Sequence, residues 1–236
     1  MIDGSLARIR PITSIASLWH SSIGKKFVMA VTGLIWFGYL IVHLWGNLKI
    51  YGGAAPLNEY AGFLRTAGAP LFGHEQILWL ARLILIPAFI VHIVAALQLK
   101  RRDQVGRRQA YAARKNLEST LASRTMIWGG VVILLFIIFH VLDLTTGNAN
   151  PSFIAGDIYH NVVASFSRWY VSLFYVVAML AVGMHLFHGI WSMFHTLGFN
   201  TRRSDRFLRN VATVFALALT IGNISIPFAV LAGLVR

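Results

Sequence analysis

The sequence predicts an all-α membrane protein with five transmembrane helices in a single domain that spans residues 1–236. The chain is 57% hydrophobic with a mean hydropathy of +0.66, which is more apolar than soluble domains. It also contains five apolar runs of the length that a bilayer requires, about 20 residues each. These runs cover residues 27–48, 77–97, 126–144, 169–190 and 208–234. Because the first run is full length and follows a polar basic stretch, we expect it to remain in the membrane.

The basic charge is distributed in a pattern that predicts the membrane topology. The formal net charge is +13 and the pI is about 10.9. Sixteen of the 21 Lys and Arg residues precede the first run, lie between the second and third runs, or lie between the fourth run and the start of the fifth. This distribution follows the positive-inside rule and places the N-terminus in the cytoplasm and the C-terminus outside. Topology and contact with anionic lipid therefore account for the charge, and we expect no nucleic-acid partner.

The segments between the apolar runs contain shorter helical patterns. We expect an interfacial helix within residues 1–26, a short helix near NEYAGFLRTAG in the outer segment 49–76, a helix around RRQAYAARKNLEST in the inner segment 98–125, and a helix at DIYHNVVASFSR in the outer segment 145–168. These segments are too small to form a catalytic domain of their own.

Four histidines lie inside separate apolar runs, one on each of the first four helices. An imidazole in the membrane core is costly and indicates a functional site. With a rise of 1.5 Å per residue, His43 and His140 lie roughly 24 and 21 Å from the inner boundary, whereas His92 and His185 lie in the inner half. The pairs are therefore His43 with His140 and His92 with His185. Two matched levels predict two stacked haem b groups, each with two histidine ligands, inside a bundle of these four helices.

A second pattern concerns the residue eleven positions before each histidine, which shares its helix face about 16 Å away in depth. Each ligand-bearing helix would pass the other haem at this position, where small residues leave room. Three helices have small residues there: Thr32 followed by Gly33, Ala81, and Gly129 followed by Gly130. The fourth helix has Phe174. Small residues also occur in ordinary membrane helix packing, so the pattern is supporting evidence only.

The fourth ligand has an alternative, because His188 follows His185 by three residues. The two side chains point about 60° apart and cannot both face one iron. The depth of His185 matches that of His92 better, which leaves His188 for a haem propionate, a quinone or a backbone carbonyl. His20, His74 and His160 lie outside the apolar runs and are interpreted as ordinary interfacial residues.

Quinone needs an apolar slot with a few polar groups near one membrane edge. The outer candidates are Arg82, Glu75, Asn47 and Asp143, and the inner candidates are Ser21, Ser22, Lys25 and His188. For Arg82, an ion pair with Glu75 or contact with a haem propionate is favoured over direct quinone binding. Arg168 is a further candidate for an outer propionate.

Cysteine and acidic residues limit the alternatives. The chain has no cysteine, which excludes disulfides, cysteine-ligated iron–sulfur clusters and covalent c-type haem. A transition-metal transporter would need carboxylates beside the histidines, and no acidic residue lies deep in an apolar run. A haem-free transporter therefore remains only a weak alternative.

Two stretches resemble a known family. SSIGKKFVMAVTGLIWFGYLIVHLWGNL is similar to the first-helix signature of the diheme cytochrome b membrane anchor of succinate dehydrogenase and fumarate reductase, and VAMLAVGMHLFHGIWSMFHTLG is similar to its fourth-helix signature. The resemblance extends over most of the chain. It implies haem ligation by His43, His92, His140 and His185, partner subunits that carry a flavin and iron–sulfur clusters, and a place in the bacterial inner membrane.

The predicted role follows from the haem positions and the resemblance. Electrons from a docked iron–sulfur subunit would reach the inner haem and then the outer haem, or would meet menaquinone or ubiquinone first near the inner surface. The dicarboxylate chemistry would belong to the partner subunits. A diheme cytochrome b anchor of a hydrogenase or formate dehydrogenase is the main alternative.

Overall fold

The computed structural model describes residues 19–106, 121–199, 201 and 203–236, and all regular secondary structure in these ranges is helical. The helices are α1 Ser22–Asn47, α2 Ala54–Thr66, α3 Gln76–Gly106, α4 Leu121–Leu144, α5 Ile158–Phe166, α6 Trp169–Thr196 and α7 Asp205–Leu231, with a 3-10 helix at Leu48–Gly52 after α1. Five of them, namely α1, α3, α4, α6 and α7, are long and apolar enough to cross a membrane. The predicted all-α membrane class with five transmembrane helices is confirmed.

The membrane helices differ from the apolar runs mainly at the end of the bundle where α1 begins and α3 ends. The sequence predicts this end to be cytoplasmic, and it is called the inner end; the opposite end is called the outer end. Helix α1 begins at Ser22 rather than at residue 27, where the Ser21 side chain caps it by accepting a hydrogen bond of 2.8 Å from the amide of Gly24. Helix α3 continues to Gly106, nine residues beyond the expected boundary at 97. The helical backbone satisfies its own hydrogen bonds, so polar residues can extend it beyond the hydrocarbon region. The hydropathy of the sequence therefore identifies only the apolar part of each membrane helix.

Two short helices cover the outer end of the bundle. The helices predicted at NEYAGFLRTAG and DIYHNVVASFSR are confirmed as α2 and α5. Asn58 on α2 donates to the carboxylate of Asp157 at 2.9 Å and accepts from the amide of Tyr159 at 3.0 Å, which ties α2 to the start of α5. The helix expected around residues 107–120 lies outside the described residues, as do residues 1–18 of the expected interfacial helix, whose residues 22–26 belong to α1.

The membrane helices form two closely packed pairs. Helix α3 packs against α1, α4 packs against α6, and α1 contacts α6 to join the pairs. Helix α7 packs extensively against α6 and lies beside the other four membrane helices. Within the described residues, α1 does not pack extensively against α4, nor α3 against α6 or α4. The bundle therefore keeps space between helices whose predicted ligands must meet.

Candidate functional site: two histidine pairs

The outer pair consists of His43 on α1 and His140 on α4. The centres of the two imidazole rings lie 5.8 Å apart and the ring planes are nearly perpendicular, at 85°. The helices that carry the rings are not closely packed, so the side chains reach toward each other across the bundle. The structure thus brings together the two histidines that depth counting assigned to the outer level.

The inner pair consists of His92 on α3 and His185 on α6. Their ring centres lie 6.2 Å apart with an angle of 55° between the planes. His188 does not take part in this pair, and its ring instead lies 6.2 Å from that of Trp191. The structure therefore places His185, and not His188, opposite His92.

Both separations are compatible with a metal ion between the rings. A bond from an imidazole nitrogen to a metal is about 2 Å, so two imidazoles on opposite sides of one metal have ring centres about 6 Å apart. The observed values of 5.8 and 6.2 Å lie at this spacing. A macrocycle also requires lateral room, and the two helices that carry each histidine pair are not closely packed against each other. The residues present fit two haem groups with bis-histidine ligation.

The inner histidine His92 is oriented by a threonine. The Thr32 hydroxyl donates to the backbone oxygen of Val28 at 2.8 Å and lies 3.0 Å from Nδ1 of His92. Because the hydroxyl proton is directed to Val28, its oxygen accepts from Nδ1–H and leaves Nε2 with a free lone pair. The opposite histidine differs, since among the described residues the buried Nδ1 of His185 has no hydrogen-bond partner.

Thr32, which precedes His43 by eleven residues, and the adjacent Gly33 also test the eleven-residue pattern. A side-chain carbon on Gly33 would lie 3.6 Å from the ring of His92. The pattern therefore does place these residues of α1 at the level of the inner pair.

The other positions of the pattern vary. Carbon atoms added at Gly129 and Gly130 would meet nothing within 4 Å, so α4 faces open space there. Phe174, the exception, packs against Phe139 with ring centres 5.1 Å apart.

Both histidines of the outer pair contact a tyrosine. The hydroxyl of Tyr39 lies 3.4 Å from Nδ1 of His43, and the hydroxyl of Tyr175 lies 3.4 Å from Nδ1 of His140. Tyr175 also donates to the carboxylate of Asp143 at 3.0 Å. Tyr175 therefore links His140 of the outer pair to a charged group, a connection that the sequence did not predict.

Asp143 is the centre of a buried polar network. Its side chain is 0% exposed and accepts from Arg168 at 2.9 Å, from Ser165 at 2.5 Å and from Tyr175. The Arg168 guanidinium also donates to the backbone oxygen of Ala149 at 3.1 Å. The structure thus pairs Asp143 with Arg168, two residues that the sequence offered as candidates for binding at the outer edge. Asp143 follows His140 by three residues on the same helix face, which is the sequence signal that could have suggested this network.

The other outer candidates also have partners within the protein. Arg82 lies 4.0 Å from Glu75, which pairs more closely with Arg65 at 3.3 Å. Asn47 donates to Asn223 on α7 at 3.2 Å.

One of the inner candidates, Lys25, lines a cavity at the start of α1. Arg102 at the end of α3 donates to the Ser22 hydroxyl at 3.3 Å and to the backbone oxygen of His20 at 2.8 Å. Lys25 is only 2% exposed and donates to the backbone oxygen of Trp19. A cavity of about 340 Å³ lies here, lined by Trp19, His20, Lys25, Gln98, Arg101 and Arg102. The buried Nδ1 of His188 has no hydrogen-bond partner.

The fold and the paired histidines define a class: a multi-pass helical membrane protein with two histidine pairs inside its bundle. The succinate dehydrogenase/fumarate reductase transmembrane subunit family matches residues 98–222, a range that contains His140 and His185. The chain belongs to this family and is therefore a membrane subunit of this class of enzyme complex. Neither the curated proteins nor the solved structures contain a significant match.

Proposed function

We propose that the chain is the diheme cytochrome b anchor of a succinate:quinone oxidoreductase and conducts electrons between an iron–sulfur subunit and membrane quinone. The observation that carries this proposal is the opposition of two histidine pairs, at 5.8 and 6.2 Å, across helices that do not pack closely. Membership of the transmembrane subunit family supports the same role.

Each residue of the two pairs has a defined task. His43 and His140 would hold the outer haem iron, and His92 and His185 the inner one, through the ring nitrogens that face each other. When bound, each haem supplies a one-electron redox centre. Thr32 fixes the tautomer of His92. The surrounding apolar side chains exclude water from the bundle and so contribute to the redox potential.

The chain requires partners for its electrons. It contains no cysteine to ligate iron–sulfur clusters, and its segments between membrane helices are short. We propose a flavoprotein subunit that holds the dicarboxylate site and an iron–sulfur subunit that docks on the basic inner face. The N-terminus would lie in the cytoplasm and the C-terminus outside, in a bacterial inner membrane surrounded by lipid.

Contacts at the start of α1 support this topology. The bonds from Arg102 to Ser22 and His20 place the beginning of α1 and the end of α3 on one side of the membrane. Both ends carry basic residues, as cytoplasmic ends do.

We place the quinone at the inner edge. The outer candidates Arg82 and Arg168 are directed to carboxylates. The inner edge instead has a cavity next to Ser22 and a buried imidazole nitrogen of His188 without a hydrogen-bond partner. Replacing Ser22 by Ala should raise the KM for a soluble quinone analogue and leave the haem content unchanged, whereas Arg82→Gln should leave the KM unchanged. The opposite result would place the site at the outer edge.

The alternatives from other classes have less support. An anchor of a hydrogenase or formate dehydrogenase would share the paired histidines, but the family match favours the succinate dehydrogenase and fumarate reductase class. A haem-free metal transporter would need clusters of ligating side chains. The described part of the chain contains no group of three or more His, Cys, Asp or Glu residues that could hold a metal ion.

The test is the amount of haem b per polypeptide in the purified protein. We expect about two in the wild type and about one in His92→Ala and in His140→Ala, because each iron needs both axial ligands. His74→Ala is the matched control, since this exposed histidine lies outside the membrane helices, and it should retain about two. A wild-type protein without haem, or an unchanged ratio in both ligand variants, would refute the proposal.

A further inference from the structure

A chain of polar contacts connects the outer histidine pair to a buried ion pair. Arg168 contacts Asp143 at 2.9 Å, Asp143 accepts from Tyr175 at 3.0 Å, and the Tyr175 hydroxyl lies 3.4 Å from Nδ1 of His140. The network joins α4 to α6 and to the segment before α6. Tyr175, which connects the carboxylate to the histidine, is not among the proposed ligands.

The direction of each proton in this network follows from the chemistry of the groups. An ionised carboxylate only accepts hydrogen bonds, and a tyrosine hydroxyl has a single proton. Since Tyr175 donates to Asp143, its oxygen is left to accept from Nδ1–H of His140. The remaining ring nitrogen, Nε2, then carries the lone pair that can bind a metal.

The packing of Tyr175 keeps this arrangement in place. The side chain is 5% exposed, and its ring centre lies 4.7 Å from that of Phe166 and 5.2 Å from that of Phe136, with edge-on geometry in both contacts. Water therefore has little access to the hydroxyl. A hydrogen bond in such an apolar setting transmits more of the charge of Asp143 than it would in water.

On this basis, and resting on the proposed bis-histidine ligation, we propose that Tyr175 is the positioning residue of the outer metal site. It holds the ring of His140 toward His43 and couples the ligand to the negative charge of Asp143. A hydrogen bond from a ligating imidazole to an acceptor backed by a carboxylate raises the basicity of the ligand. A more basic ligand stabilises the oxidised metal, so the contact lowers the midpoint potential of the outer centre.

The inner pair has no equivalent contact. Thr32, the partner of His92, donates its hydrogen bond to a backbone carbonyl rather than to a carboxylate. In the described part of the chain, Nδ1 of His185 has no hydrogen-bond partner. The effect of the carboxylate is therefore specific to the outer centre. One replacement should change one of the two potentials.

The experiment is a redox titration of the full chain, purified with its associated subunits and followed by haem absorbance. Tyr175→Phe removes only the hydroxyl and should keep both haems. We expect the variant to shift the reduction equilibrium of one haem about tenfold toward the reduced form. For a one-electron couple this raises the midpoint potential by about 59 mV. The other potential should not move. Tyr39→Phe is the matched control, because Tyr39 contacts His43 at the same distance but has no carboxylate contact in the described structure, and its shift should be several-fold smaller.

A second variant keeps the inference testable if Tyr175→Phe does not accumulate. Asp143→Asn retains the size of the side chain and removes its charge, and it should raise the same potential. Both potentials unchanged in the variant that folds would overturn the role of Tyr175. A purified wild type without haem would instead refute the proposed function, so the two failures are distinguishable.

Discussion

The outer and inner histidine pairs contain the same side chains but are held in different ways. The outer pair is bounded by polar groups, since Tyr175 links His140 to the buried carboxylate of Asp143 and thus to Arg168. In the inner pair, His92 instead contacts the neutral hydroxyl of Thr32. The difference shows how one bundle can give two identical histidine pairs unequal electrostatic surroundings.

Helix packing compensates for the sparse polar contacts at the inner level. Helix α6, which carries His185, approaches α7 so closely at Gly183 that an added carbon atom would clash with the hydroxyl oxygen of Thr220. The outer level thus depends on charge and hydrogen bonds, and the inner level depends on a close approach of two helices. Replacing a residue of the polar network or a residue of the helix contact alone tests whether the two levels are stabilised in these different ways.

The largest effect is expected from removing Arg168, because its loss leaves the fully buried charge of Asp143 without a cation. Breaking a buried ion pair in this way costs about 3–5 kcal/mol. Arg168→Met should therefore lower the thermal stability of the detergent-solubilised protein strongly and release the outer haem first. The double variant Asp143→Asn with Arg168→Met should recover much of the loss, because no charge remains unpaired. If it is no more stable than Arg168→Met, the charge is not the cause.

A smaller effect is expected at the helix contact of the inner level. Gly183→Ala forces α6 away from Thr220, and overpacking of this kind costs about 1–3 kcal/mol. Since Gly183 is two residues from His185, inner haem should be lost before outer haem. Gly189→Ala on the same helix is the matched control, because its added carbon atom meets nothing within 4 Å. Equal haem loss in the two variants would show that the contact does not position the ligand.

The hydroxyl of Thr32 should contribute less than either of these. Thr32→Val keeps the shape of the side chain and leaves the Nδ1–H of His92 without its acceptor, which costs about 1–2 kcal/mol. We expect weaker retention of the inner haem during dilution and no change in the outer haem. Thr213→Val is the control, since Thr213 makes the same bond to the preceding turn, at 2.9 Å to the oxygen of Arg209, without a histidine. A matching loss in the control would assign the effect to the helix rather than to the ligand.

Much of this arrangement follows from the sequence because helices have a fixed rise. Counting 1.5 Å per residue from the ends of the apolar runs was enough to pair His43 with His140 and His92 with His185, as the ring contacts place them. The same periodicity placed Thr32 beside the inner level, although its hydrogen bond to His92 was not expected.

The polar network was not predictable in the same way. Tyr175 looks like any aromatic residue of an apolar helix, and its role depends on the rotation of α6 against α4. Asp143 and Arg168 were singled out as outer polar groups, but sequence spacing does not show that they contact each other across 25 positions. Tertiary packing decides these contacts, whereas depth in the membrane is a local property of each helix.

The smallest effect is expected at the outer end of the bundle, where Asp157 is the N-cap residue of α5. Its carboxylate accepts from the amide of His160 and from Asn58, both of which lower the pKa of Asp157 from its ordinary value of 3.8. A depressed folded-state pKa stabilises the protein above the unfolded-state value, and the contribution is lost as the pH falls through the folded-state pKa. Asp157→Ala should therefore cost about 1 kcal/mol at neutral pH and progressively less below about pH 4.

Ser21→Ala removes the corresponding cap of α1 at the inner end, where an uncharged hydroxyl accepts from the amide of Gly24. Its cost should stay constant over the same range of pH, because the serine hydroxyl does not titrate there. Thermal unfolding of both variants and the wild type between pH 3 and pH 7 would compare the two ends directly. A pH-independent cost for Asp157→Ala would mean that the charge of this carboxylate does not stabilise the outer end, and the electrostatic contrast between the two sides would then rest on Asp143 alone.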